Sequence, residues 1–158
     1  MVYHNDGPSY DDVIGQAELA FKLSTNFLIA AGFQRDFEDT FYSNYYVENR
    51  AYLRIQARIA RRVGIELYGD YKLVDFAEYD PAIPGVFISH VERRDQPVSG
   101  HAKIDVDITR WIGLSIGYEV EANFTNFKVL HTLSNGTKSP DVGRFVRHQV
   151  YGSVNVRY

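Results

Sequence analysis

The stretch RWIGLSIGYEVEANFT, residues 110–125, alternates without a break. Ile112, Leu114, Ile116, Tyr118, Val120, Ala122 and Phe124 fall on one side. Gly113, Ser115, Gly117, Glu119, Glu121, Asn123 and Thr125 fall on the other. Successive side chains of a β-strand point to opposite faces, so a period of two over this span specifies a strand. It is also long, since ordinary strands run to about five or six residues. Any fold built from it must give each face its own solvent.

Six further stretches behave the same way, at 13–24, 27–37, 46–59, 63–76, 100–108 and 145–158. Their apolar faces are Gly15, Ala17, Leu19, Phe21 and Leu23; then Phe27, Ile29, Ala31 and Phe33; then Val47, Ala51, Leu53, Ile55, Ala57 and Ile59. They continue with Ile65, Leu67, Gly69, Tyr71 and Leu73, with Ala102, Ile104, Val106 and Ile108, and with Val146, Val150, Gly152, Val154, Val156 and Tyr158. No stretch has the period of an amphipathic helix. The connections alternate between tight turns, at STN, ARR and TRW, and longer polar segments, the largest at 78–99 and 126–144. Three-residue turns keep the apolar faces aligned, setting Leu23 against Phe27, Ile59 against Val63 and Ile108 against Ile112. The hairpins also repeat one unit, LSTNFLIAAGF from Leu23, IARRVGIELYG from Ile59 and ITRWIGLSIGY from Ile108. The expected fold is all-β: one domain over 1–158, an antiparallel up-and-down meander of about seven to eight long strands. Residues 1–10 read as a loop or tail. Barrel closure is the natural way to remove the edges.

The totals exclude several classes. A formal charge of −3 gives no reason to expect nucleic acid. With no cysteine there are no disulfides or thiolate metal sites. No apolar run is long enough for a membrane-spanning helix, and MVYHNDGPSY has no apolar core of a signal peptide. The five histidines, His4, His90, His101, His131 and His148, share no metal-ligand spacing. Neither G-x-S-x-G, H-E-x-x-H nor a phosphate loop occurs, so neither catalysis nor a cofactor is expected. NFT at Asn123 lies inside a strand, and NGT at Asn135 reads as a turn.

The face opposite the apolar one carries nearly all the strand charges: Glu18, Lys22, Asp36, Glu48, Arg50, Arg54, Arg58, Glu66, Asp70, Lys72, Lys103, Asp105, Asp107, Glu119, Glu121, Arg147 and Arg157. Two arrangements satisfy this. In a soluble calycin-like barrel the apolar face lines a cavity for a small hydrophobic ligand. In an outer-membrane barrel the apolar face meets lipid and the charges line the lumen. Three features favour the second. The loops are sorted by length between the two ends. Aromatics gather at strand ends, with Phe21, Phe27, Trp111 and Tyr158 near the short turns and Phe37, Phe41, Tyr45, Tyr46, Phe76, Phe124 and Phe127 near the long loops. The polar residues of the apolar face, Arg35, Asn49, Asp75 and His148, lie toward the long loops, where a charge costs least.

On this reading the lumen-lining charges are Arg50, Arg54, Arg58, Glu66, Asp70, Lys72, Lys103, Asp105, Asp107, Glu119, Glu121 and Arg147. Phe27, Trp111, Tyr118, Phe124 and Tyr158 are the interfacial aromatics. The charges form either a lattice of ion pairs or the wall of a pore, with a basic strip at Arg50, Arg54, Arg58 and Lys72 and an acidic one at Asp105, Asp107, Glu119 and Glu121. Glu66 is expected opposite or diagonal to Arg54, Gln56 or Arg58, and Asp70 and Lys72 near Tyr52 and Arg50. The segment AIPGVFISH within 81–97 is apolar for a loop and suits a constriction, a short strand or a partner contact.

The terminal VYGSVNVRY adds a resemblance. Aromatic Tyr158, Val156 two before it, and Ser153 near the glycine slot look like the C-terminal signal of bacterial outer-membrane barrels, with Gly152 one residue early. The resemblance implies recognition by the insertion machinery through this strand. YYVENRAYLRIQARIARRVGIELYGDY, DITRWIGLSIGYEVE and RHQVYGSVNVRY together resemble hairpins of a large outer-membrane barrel family associated with exopolysaccharide export. It implies a pore or transport component in the bacterial outer membrane, whose partners are the bilayer, polysaccharide and other barrel segments. A structural or adhesive barrel presenting its long loops is the further alternative. A periplasmic Tyr158 would make the strand number odd, whereas such barrels are normally even. Either residues 1–10 hold a poor eighth strand or the chain is the C-terminal part of a larger barrel, and HNDGPSYDD, which reads as loop, favours the second.

Overall fold

The computed structural model describes residues 12–39, 45–76, 93–126, 128–132 and 138–156. The tail at 1–10, AIPGVFISH, Arg157 and Tyr158 lie outside the described residues. The strands are β1 (Gly15–Ser24), β2 (Phe27–Asp39), β3 (Tyr45–Ile59), β4 (Val63–Phe76), β5 (Arg94–Asp107), β6 (Ile112–Thr125), β7 (Lys128–Thr132), β8 (Lys138–Val142) and β9 (Phe145–Val156). Seven form one antiparallel sheet in the order β1-β2-β3-β4-β5-β6-β9, and β7 and β8 form a separate hairpin. This is the up-and-down meander required by the alternation, and no described residue is helical. The sheet is open: β1 and β9 do not pair with each other.

Register follows the tight turns. Ile59 opposes Val63, and β3 and β4 then pair without interruption to Tyr46 and Phe76. At the β5–β6 turn the Ile108 N–H donates to the Ile112 carbonyl at 3.0 Å. The Thr109 hydroxyl accepts from Trp111 and Ile112 N–H at 3.1 and 3.0 Å, so its side chain closes the turn. The β1–β2 turn departs from expectation. A register shift between Lys22 and Ser24 sets Ser24, not Leu23, opposite Phe27.

Two long segments hold more strand than the sequence pattern indicates. β5 begins at Arg94, not at residue 100, and carries Pro97 in a central strand. The ladder to β4 skips Lys72 and Leu73, opposite Pro97 and Gln96, where proline has no N–H to give. Between β6 and β9 the expected loop contains β7 and β8, with Leu130 opposite Pro140. Both strands of an isolated hairpin are edges, so a proline there loses no necessary hydrogen bond.

The β3–β4 turn stores strain. Ala60 and Arg61 both have positive φ, 49° and 61°, and Arg62 N–H closes the turn on the Ile59 carbonyl at 3.2 Å. Two left-handed residues match the twist of a hairpin, but Asn and Gly adopt them at less cost. Replacing Ala60→Asn together with Arg61→Gly is expected to stabilise the folded state by about 1 kcal/mol, read as a higher urea midpoint with unchanged slope.

Candidate functional site

Burial in this sheet is inverted. Val150, Leu19 and Val154 on the apolar face are 71%, 67% and 66% exposed, whereas Asp70 and Ser115 on the polar face are 6% and 7% exposed. Along β6, Ile112, Leu114, Ile116 and Tyr118 are exposed while Gly113, Ser115 and Gly117 between them are buried. The buried hydrophobics among the described residues, Ala30 and Val74, both stand on the polar face, opposite Arg54 and Glu48. Water-driven collapse buries apolar surface and leaves charge outside; here the polar face is the covered one.

Its cover is made of side chains reaching across strands. The Arg50 Nε donates to Asp70 at 3.1 Å, and Ser99 and Arg50 donate further to Asp70 and the Tyr68 hydroxyl. Glu66 accepts from Gln56 at 2.9 Å, directly opposite it, and bonds His101 Nε2 at 2.9 Å. Lys72 meets Glu48 at 2.9 Å, Lys103 meets Asp105 at 3.1 Å, and Arg147 meets Glu121 at 2.6 Å. Ser115 donates to Asp105 and accepts from Asn155 at 3.3 Å. Tyr52, opposite Asp70, reaches past β2 to donate to Glu18 at 2.5 Å, and Arg54 approaches the same carboxylate at 3.4 Å. Tyr52, Tyr68 and His101 stack in turn, with centroids 6.1 and 5.2 Å apart.

The expected basic and acidic strips are thus interleaved: Arg50, Arg54 and Lys72 each hold a carboxylate, and Asp105 and Glu121 each hold a cation. Arg58 faces Asp105 across Gly64, Glu119 stands opposite His101, and Asp107 opposite Gly113. Lys22, Gln56, Arg58, Glu66 and Asp105 line one open hollow of about 440 Å³. Arg58, Lys103, Asp105, Asp107 and Asn155 line a second of about 560 Å³. The arrangement offers hydroxyl, guanidinium, ammonium and carboxylate groups to a hydrophilic solute. Among the described residues no group of His, Asp and Glu suits a metal ion.

The sequence pattern did not single out Tyr52 and Tyr151 as partners of glycine. Tyr52 lies opposite Gly32 and Tyr151 opposite Gly117, and each ring occupies the space a Cβ on that glycine would take. A glycine across from a tyrosine is a readable signal only once register is known, and the β2–β3 loop does not fix it.

The apolar face is uniform over most of its height. By register its charged residues among those described are Arg35, Asp39, Asp75 and Arg94, all toward the long loops. Arg35 pairs with Asp12 and Asn49, and Arg94 with Asp75 at 2.5 Å. His148, three residues into β9, bonds the Tyr118 hydroxyl at 2.7 Å. Phe27, Trp111 and Phe124 stand at strand ends as expected. Tyr118 does not: it lies at the middle of β6, its hydroxyl satisfied by His148 rather than by an interface.

Comparison with protein-family models, with curated proteins and with solved structures finds no match to this chain.

Removing a buried acceptor should cost far more than removing an exposed donor. Asp70→Ala strands Arg50 and Ser99 and is expected to lose about 2 kcal/mol, while Arg147→Ala at the edge is expected to lose less than about 1 kcal/mol; equilibrium unfolding measures both. Gly32→Val is expected to expel the Tyr52 ring and abolish its bond to Glu18, seen as a raised exposure of tyrosine to solvent quenchers.

Proposed function

We propose that this chain is an outer-membrane β-barrel, or the C-terminal part of one, acting as a pore or transport component. The observation that carries the reading is the inverted burial, with a broad exposed apolar face backed by a covered face of paired charges. A lone layer of sheet in water would expose Leu19, Leu53, Leu67, Ile116 and Val150 together, far more than scattered surface hydrophobics. In lipid the same rows need no cover, and the ladders satisfy the backbone between the two edges, β1 and β9, which further strands or closure would satisfy in a barrel.

The dimensions agree. The apolar positions at 63–73 on β4 extend, at about 3.4 Å per residue and a tilt of about 45°, to a height of about 25 Å. That is the apolar band of an outer-membrane barrel. An ionised side chain at mid-bilayer costs about 2–4 kcal/mol, and the charged residues of this face stay near the long-loop end, Arg35, Asp75 and Arg94 in ion pairs. The calycin-like alternative needs the apolar rows to enclose a ligand, and these are the exposed rows. The cargo is hydrophilic, since the polar face offers charged and hydroxyl groups at every level. Exopolysaccharide is the specific cargo suggested by the hairpin resemblance, and the C-terminal strand is then the segment read by the insertion machinery.

The chain has no native cysteine, so single cysteines report cleanly. In vesicles, Leu114→Cys and Ile116→Cys are expected to resist a membrane-impermeant maleimide and to be quenched by lipid spin labels, while Glu119→Cys and Glu121→Cys show the reverse. Equal behaviour of the two rows contradicts the membrane reading. Stepwise ion conductance in planar bilayers is expected of a pore; a sealed bilayer would assign the barrel a structural or adhesive role.

A further inference from the structure

Most described cations of this sheet have a carboxylate partner, and those without one, Arg144 apart, stand toward the short turns, Lys22 and Arg58 on the last residues of their strands among them. On the polar face Arg50, Arg54, Lys72, Lys103 and Arg147 each have a carboxylate partner. Near the long loops Arg35, Arg93 and Arg94 do too, Arg144 being the exception. At the short turns Arg61, Arg62 and Arg110 are exposed and have no ion pair among the described residues.

These three share one rim. The β3–β4 and β5–β6 turns are neighbours, because Val63 opposes Val106 and Asp107 N–H donates to the Arg62 carbonyl at 2.8 Å. The Arg110 guanidinium lies 4.5 Å from the centre of the Trp111 ring. Trp111 is 48% exposed, between the exposed Ile108 and Ile112 that flank its turn. From the end of the sheet inward the order is unpaired guanidinium, amphipathic indole, then aliphatic rows. That sequence matches the order of phosphate, interface and hydrocarbon in a lipid leaflet.

We propose that this rim binds the phosphate headgroups of anionic glycerophospholipids in the leaflet facing the short turns. The inference rests on the membrane reading and adds a lipid preference and a side to it. The guanidinium fork suits phosphate oxygens bidentately. The three cations are spread over two turns, Arg62 at the hollow it shares with Arg58 and Asp107 and Arg61 and Arg110 outside that hollow, and they lead into the apolar rows, which suits an array of headgroups in a surface rather than a single dissolved anion.

Trp111 is the only tryptophan of the chain, so its emission reports on the rim. The full chain is refolded into phosphatidylcholine vesicles carrying an equal fraction of brominated phosphatidylcholine or brominated phosphatidylglycerol. The expected result is severalfold steeper quenching by the brominated anionic lipid, since each arginine near an anionic surface contributes about fivefold to local binding. Molar salt is expected to remove the preference. The variant Arg61→Gln, Arg62→Gln, Arg110→Gln should still be quenched by both lipids, but equally.

Equal quenching of the inserted wild type by the two lipids overturns the proposal and leaves the membrane reading intact. Quenching by neither lipid overturns both. A preference that survives in the triple variant, or in molar salt should that variant fail to insert, overturns the rim as its source. Inorganic phosphate added to the detergent-folded protein should leave Trp111 emission unchanged; a saturable shift would assign the cations to a free anion instead.

Discussion

Cross-strand register decides which solvent each face of this sheet can meet. A slip of one residue in β3 would turn Arg50, Arg54 and Arg58 onto the apolar side and set Leu53 and Ala57 against Asp70 and Glu66. The ladder of β3 and β4 runs from Ile59 and Val63 to Tyr46 and Phe76 with no shift. The bonds of Gln56 to Glu66 and of Arg50 to Asp70 are available only in that register. The two faces therefore hold the register jointly. The apolar face does so by excluding charge, and the polar face does so by pairing it.

Among the described residues the polar face has no second layer to pack against, so its stability is lateral. Exposed ion pairs contribute little singly, but here they are bridged: Asp70 serves Arg50 and Ser99, Glu66 serves Gln56 and His101, and Glu18 serves Tyr52 and Arg54. Each carboxylate with two partners holds strands together and is costly to remove, because the donors left behind are partly shielded from water. Tyrosines fill the gaps over Gly32 and Gly117, which lets a side chain reach a second strand without crowding. The result is a wall that is polar and laterally cohesive.

Much of this was legible beforehand because alternation and tight turns are local. Residues 110–125 announce β6, and ARR fixes the pairing of Ile59 with Val63. What was not legible depends on non-local pairing or on exceptions to proline rules. Pro97 reads as a loop residue, yet the ladder opens where it sits. KSPDV gives no alternating signal, yet pairs as β8 in a hairpin whose edges are free. The side-chain network over Asp70 follows from three strands meeting, and only one of the two junctions is set by a tight turn. Tyr118 reads as interfacial by type alone, and its bond to His148 from β9 explains its place at the middle of a strand.

The account stands on the apolar face needing lipid. Circular dichroism of the chain diluted from urea into plain buffer and into detergent micelles, with heat-modifiable gel mobility on the same samples, tests that directly. The expected result is a β-spectrum with a compact, heat-sensitive band in micelles only. A monomeric, cooperatively unfolding β-structure in plain buffer would contradict it, because the exposed rows of β1, β6 and β9 would then have to be covered by the protein itself.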